Sequence, residues 1–303
     1  MKNITKLGLT ALAGTLVASS AFAGSMSVSG SAKITHASAD ETETQGNSFS
    51  NSKGISFSGS GELDNGYTVS TSYTMTDAAF STSQVTIDMG DMGTVGLWNG
   101  TGAAGINSYS DKVPTAGEQV WDDSDTDDNG IPNHETSNLL GYNGTFGDIG
   151  VSLAYVNGGG DADSSDSSWV VTYSGYDNLE VGVGMGSDGE AQDLSTAYLK
   201  YTMGSLTAGY QQTKVDYDAA ASKDQDATHV GISIAVNESL SVSAGRQTVD
   251  IADAADDETN SGVMASYTMG SITLAGGFNE VESAGGTSGK DAEVATLNAS
   301  FAF

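Results

Sequence analysis

From Ser25 to its last residue this chain alternates apolar and small polar side chains, in sixteen separate stretches. The last is Leu297-Asn298-Ala299-Ser300-Phe301-Ala302-Phe303, with an apolar group at every odd position. A period of two belongs to a strand with one face turned away from water. No helical period competes with it beyond the first two dozen residues. The first stretch sets Met26, Val28, Ala32 and Ile34 against Ser27, Ser29, Ser31 and Lys33. The second sets Ile55, Phe57 and Leu63 against Ser56, Ser58, Ser60 and Glu62. Asp64-Asn65-Gly66 then marks a tight hairpin, because Asn-Gly readily takes positive φ angles. The chain returns through Tyr67, Val69 and Tyr73.

Strands are expected at 25–36, 53–63, 67–75, 83–89, 94–99, 137–146, 151–157, 168–175, 179–186, 194–202, 206–212, 227–236, 240–249, 261–268, 272–279 and 292–303. The connections come in two sizes that alternate. The short ones are 64–66, 90–93, 147–150, 176–178, 203–205, 237–239 and 269–271. The longer ones, rich in Asp, Ser and Gly, are 37–52, 76–82, 100–136, 158–167, 187–193, 213–226, 250–260 and 280–291. Sixteen up-and-down strands with both ends on one side need that pattern. A weak echo, Tyr201-Thr202-Met203-Gly204-Ser205 and Tyr267-Thr268-Met269-Gly270-Ser271, sits at two of the short turns.

Residues 1–23 read as a secretory leader: Lys2 and Lys6, an apolar stretch from Leu7 to Ala18, and Ala21-Phe22-Ala23 as the cleavage signal. The folded unit is then expected at 24–303. A secreted chain with no Cys gains no stability from disulfides. A closed sheet supplies it instead by pairing every strand on both sides. Sixteen strands enclose an interior too wide for side chains to fill, so an apolar lining would surround a dry void. Apolar groups must therefore face outward, which requires lipid outside and water within. The fold class expected is all-β, a 16-stranded antiparallel transmembrane β-barrel. Tyr67, Phe146, Tyr173, Phe301 and Phe303 suit one interfacial girdle, and Trp98, Trp169, Tyr210 and Phe278 the other.

The leader takes two of the ten bases, leaving eight against 39 acids. That balance repels nucleic acid and draws in small cations. The charges that alternation turns toward the interior are Lys33, Glu62, Asp88, Glu180 and Lys200. Arg246, the sole Arg, falls on the outward side beside Val242 and Ala244. Three readings stay open for it: reaching lipid head groups, a subunit contact, or a β-bulge.

The connection at 100–136 is by far the longest, and loops of that length in compact proteins are functional or disordered. It holds Glu118 and Trp121, a ring fit for anchoring, then Asp122, Asp123, Asp125, Asp127 and Asp128. Asp123, Asp125, Asp127, Asn129 and Asn133 place oxygen ligands at spacings that suit a Ca²⁺ ion; a solvated acidic loop is the other reading. Gly285-Gly286-Thr287-Ser288-Gly289-Lys290 is one residue short of a phosphate loop and reads as ordinary loop. His36, His134 and His229 have no metal spacing. No catalytic constellation stands out, so no enzymatic activity is expected.

The leader, the alternating segments, the Asp-rich third loop and the terminal Phe303 together resemble a general Gram-negative outer-membrane porin, of the Rhodobacter-like alphaproteobacterial kind. The resemblance implies short periplasmic turns, long extracellular loops and a third loop folded inward. It also implies a homotrimer in the outer membrane, in contact with lipid and lipopolysaccharide, and Phe303 as the signal for the barrel-insertion machinery. On this resemblance Glu118, Asp122, Asp123, Asp125, Asp127 and Asp128 would narrow the pore. Such porins commonly face the acidic loop with an Arg cluster on the wall, which is missing here. A passive channel for small hydrophilic solutes that prefers cations is therefore expected, with no required cofactor and Ca²⁺ as a structural option. The alternative is an acidic calcium-binding secreted β protein, such as a surface-layer protein.

Overall fold

The computed structural model describes residues 24–40, 48–77, 79–122, 131, 137–158, 165–188, 192–218 and 223–303. Its strands are β1 (Ser25–Asp40), β2 (Phe49–Glu62), β3 (Thr68–Thr76), β4 (Ala79–Asp88), β5 (Thr94–Asn99), β6 (Leu139–Phe146), β7 (Ile149–Val156) and β8 (Asp166–Tyr176). They continue as β9 (Leu179–Ser187), β10 (Gln192–Met203), β11 (Leu206–Tyr217), β12 (Gln225–Ala235), β13 (Leu240–Ile251), β14 (Glu258–Met269), β15 (Ile272–Glu282) and β16 (Ala292–Ala302). Each pairs antiparallel with the next, and β1 closes on β16, so the sheet has no free edge. Closure ends on a reciprocal pair: Gly30 N donates to the Phe303 carbonyl at 2.6 Å, and Phe303 N to the Gly30 carbonyl at 3.0 Å. The Phe303 ring lies over Gly30, where a Cβ would sit 2.5 Å from the ring carbon Cε2.

All sixteen expected strands form. Their turn-side ends fall within two residues of expectation, and the echoed motif is one hairpin built twice, with Gly204 at φ 62° and Gly270 at φ 64°. On the loop side β6 and β7 fall short by one or two residues, while most ends run longer, above all β11, which reaches Tyr217. The reason is a reversal of pattern. Over most of the wall, large apolar side chains such as Val230, Ile232 and Ile234 face outward and stay exposed. Hydroxyl pairs line the inside, among them Ser25–Ser60, Ser27–Ser58 and Ser56–Thr74. Near the loops the sense inverts: Val170, Leu194, Val215 and Val249 are buried on the inner face, while Lys214 and Asp226 form a 2.6 Å ion pair on the outer one. Leaving lipid, the wall takes on the polarity of a water-soluble barrel while its hydrogen-bond ladder continues.

Two details of side-chain direction differ from or narrow the expectation. Trp98 does not join a girdle; it is 4 % exposed and turned inward, packed with Ala104, Leu139 and Ala154. Its ring fills the space left by Gly96, whose Cβ would stand 2.3 Å from it. Around Arg246 the pairing of β13 with β12 and β14 is regular, Val230 and Ser261 standing opposite. The bulge reading therefore falls, and the side chain is exposed on the outer face.

Candidate functional site in the barrel lumen

The third loop, between β5 and β6, turns into the barrel, and inward-facing wall groups tie its backbone down strand by strand. Ser152 Oγ on β7 accepts from Gly105 N at 2.8 Å, and Ser168 Oγ on β8 from Ile106 N at 2.9 Å. On β11, Gln211 accepts from Lys112 N at 2.8 Å and donates to the Tyr109 carbonyl at 2.7 Å. On β13, Ser243 Oγ accepts from Ala116 N at 2.9 Å. The bonds to Gly105 N and Ile106 N are buried, where an unpaired group costs about 1–3 kcal/mol.

The seat for this loop is a row of glycines. Gly209, Gly231, Gly245 and Gly262 stand opposite one another across β11, β12, β13 and β14, all on the inner face. A Cβ on Gly209 would lie 2.5 Å from Pro114 Cδ, and one on Gly231 would lie 2.9 Å from the Pro114 carbonyl. A Cβ on Gly245 would just touch both methyls of Val120 at 3.4 Å. Val113, Val120 and Trp121 pack together on this track. Trp121, 2 % exposed, meets His229 edge-on at 4.8 Å and is the anchor its type suggests.

Past the track the loop crosses toward β1, and the Glu118 carboxylate accepts from Lys33 Nζ at 2.7 Å. Across the lumen Glu180 holds a second base: its Oε2 lies 2.8 Å from Lys200 Nζ, and its Oε1 accepts from the Tyr198 hydroxyl at 2.7 Å. Tyr109 of the loop stacks on Tyr198 with 6.0 Å between ring centres, and Lys112 Nζ lies 4.2 Å from the centre of the Tyr109 ring. Of the charges assigned to the interior, the structure thus brings Lys33 to Glu118 and Glu180 to Lys200. Glu62 and Asp88 stand at the turn end of the wall, where Asp88 caps the turn by accepting from Gly90 N at 2.9 Å.

Asp122 bends back to accept from Gln119 N at 2.8 Å, so it serves the loop's own turn. Asp123, Asp125, Asp127, Asp128, Asn129 and Asn133 lie outside the described residues, and with them the proposed calcium run. Among the described residues, no group of three or more His, Asp or Glu side chains is arranged to hold a metal. Among the elements of the site that escaped the sequence reading are Lys112, the Tyr109–Tyr198 pair and the glycine row. Lys112 lies in a loop where alternation assigns no direction. The row was visible as a glycine at one inner position in each of four successive segments, once their register was known.

Asp111, on the same loop, is pushed up to about 6 by burial and by the charge of Asp122. Its folded value therefore exceeds that of the unfolded chain, so it favours the docked loop most at low pH, and this contribution fades as pH rises through 6. The same rise adds one negative charge to each lumen. Acidifying from pH 7 to 5 should thus reduce any cation preference and tighten the loop. An Asp111→Asn channel should show a flat reversal potential over that interval if Asp111 is the titrating group.

A closed transmembrane barrel with a loop laid across a polar lumen defines a channel, not an enzyme. The family model of Gram-negative porins matches residues 8–303, and the chain belongs to that family. Solved porins share its fold. An engineered variant of the Rh. blastica porin superimposes with a TM-score of 0.70 at 15% identity, covering 92% of this chain and 100% of its own. A porin refined at 1.8 Å gives 0.70 at 19% identity with the same coverage. The curated proteins contain no significant match. The protein is therefore a Gram-negative outer-membrane porin.

Proposed function

We propose that this porin is a passive diffusion channel for ions and small hydrophilic solutes that prefers cations. The observation that carries the reading is how the inward-facing bases of the wall strands are used. Lys33 and Lys200 are each held by a carboxylate, Glu118 and Glu180, so neither contributes a free positive charge to the wall. The remaining balance is strongly acidic, and a negative lumen of low-dielectric walls concentrates cations. The acids from Asp123 to Asp128 would add to this where the loop narrows the pore, with Ca²⁺ bound by Asp123, Asp125, Asp127, Asn129 and Asn133 as an optional structural ion.

The same reading includes removal of residues 1–23, assembly as a homotrimer, contact with lipopolysaccharide, and Phe303 as the group presented to the insertion machinery. The outward apolar wall supports lipid contact, and the backbone pair of Phe303 with Gly30 supports a part for Phe303 in closing the barrel. A planar bilayer holding the purified protein between unequal KCl solutions tests the preference. The reversal potential should take the sign of K⁺ permeation and shrink in high salt, where screening shortens to about 3 Å at 1 M. A potential of Cl⁻ sign would overturn it. Nothing in the barrel favours the surface-layer alternative.

A further inference from the structure

We infer that Lys112 marks a subsite for a small organic or inorganic anion, a carboxylate or a phosphate, in a recess under the third loop. The inference rests on the lumen being a water-filled pore and adds a binding step within it. Lys112 lines a recess of about 600 Å³ together with Ser108 and Tyr109 of the loop, Asn143, Thr145 and Thr172 of the wall, and Asp91 of the turn after β4. Its position among turn residues puts it on the turn side of the loop, the periplasmic half of the channel. Apart from the Asp91 carboxylate, the polar side chains of the lining are hydroxyl, amide and ammonium, which are the groups that bind oxyanions.

What frees Lys112 for this is the use of Glu180. Both oxygens of that carboxylate are taken, one by Lys200 and one by Tyr198. Glu180 acts on Lys112 only from a distance, and among the described residues no carboxylate lies within ion-pair reach of Lys112. Its ammonium instead rests on the Tyr109 ring, a contact that leaves donor directions open toward the recess. Burial lowers its proton affinity, as Lys200 does to a lesser extent, and the charges on Glu180 and Asp111 work against both; an entering anion would offset the cost of burial. In a lumen this acidic, the one lysine without a direct carboxylate partner among the described lumenal residues is where an anion would pause. Asp91 opposes binding, being a like charge on the same recess, and so sets a limit on affinity that a substitution can lift.

The test is block of K⁺ current through single channels by inorganic phosphate and, separately, by gluconate, added on the turn side. The unmodified channel should show saturable block. Lys112→Gln should raise the half-blocking concentration about 10- to 100-fold, the range expected for one charge-assisted hydrogen bond. Asp91→Asn should lower it, an effect a merely structural Lys112 would not produce. Lys223→Gln, on an outer loop, should leave it unchanged. Block by phosphate alone or gluconate alone would support the site and assign its ligand class. Equal block in the unmodified and Lys112→Gln channels, with both variants still resistant to detergent, would overturn it. An unmodified protein that passes no current would instead sink the pore reading beneath it.

Discussion

Replacing Gly231 with leucine should widen the pore without unfolding the barrel. Gly231 is one of the two inner members of the four-glycine row, and any Cβ there would meet the Pro114 carbonyl at 2.9 Å and Val113 Cβ at 3.2 Å. Backbone cannot yield as the tip of a flexible side chain does, so the loop must rise. Overpacking of this kind costs about 1–3 kcal/mol, which shifts docked against undocked loop roughly 5- to 150-fold. The strand itself tolerates the change, since leucine keeps its backbone hydrogen bonds and relieves a glycine of its entropy cost. Single-channel conductance should therefore rise and become noisier, and Trp121 should lose its protected environment, while boiling is still needed to unfold the barrel. Unchanged conductance would mean that the loop does not rest on this track.

The second large effect concerns the outer face. Ile232 stands outward between Val230 and Ile234 in the apolar outer run of β12, 47 % exposed and paired across to Ala208 and Ala244. Ile232→Lys would put an ammonium into the hydrocarbon, at about 2–4 kcal/mol near the midplane of a barrel. The next residue, Ser233, faces the lumen, and Ser233→Lys should stay within about 0.5 kcal/mol. Unfolding midpoints in lipid vesicles compare the two directly. Equal losses would contradict the assignment of the faces.

The strands were legible in the sequence because lipid on one side and water on the other force a strict alternation. The turn-side ends were legible for the same reason, sharpened by Gly66, Gly204 and Gly270. Where the wall leaves lipid that force vanishes, and strands such as β11 and β14 continue past the point where the pattern marks them. Trp98 misled because Leu97 and Trp98 are both apolar; direction was decided by Gly96, whose missing side chain admits the ring on the inner face. The pairs Lys33–Glu118 and Lys200–Glu180 were half legible: alternation turned Lys33, Glu180 and Lys200 inward, but it could not say which charges meet. Loop residues have no period, so Lys112 and Tyr109 became visible only through the wall groups, Gln211 above all, that fix the loop's path.

The central physical claim is that side chains one residue apart on β12 see different solvents. The chain has no Cys, so single cysteines can be introduced one at a time as Ile232→Cys, Ser233→Cys and Ile234→Cys and exposed, in intact membranes, to a charged thiol reagent small enough to enter the channel. Modification should be fast at position 233, with a fall in conductance, and absent at 232 and 234. Rapid labelling at 232 and 234 with protection at 233 would place water on the apolar face and contradict the channel.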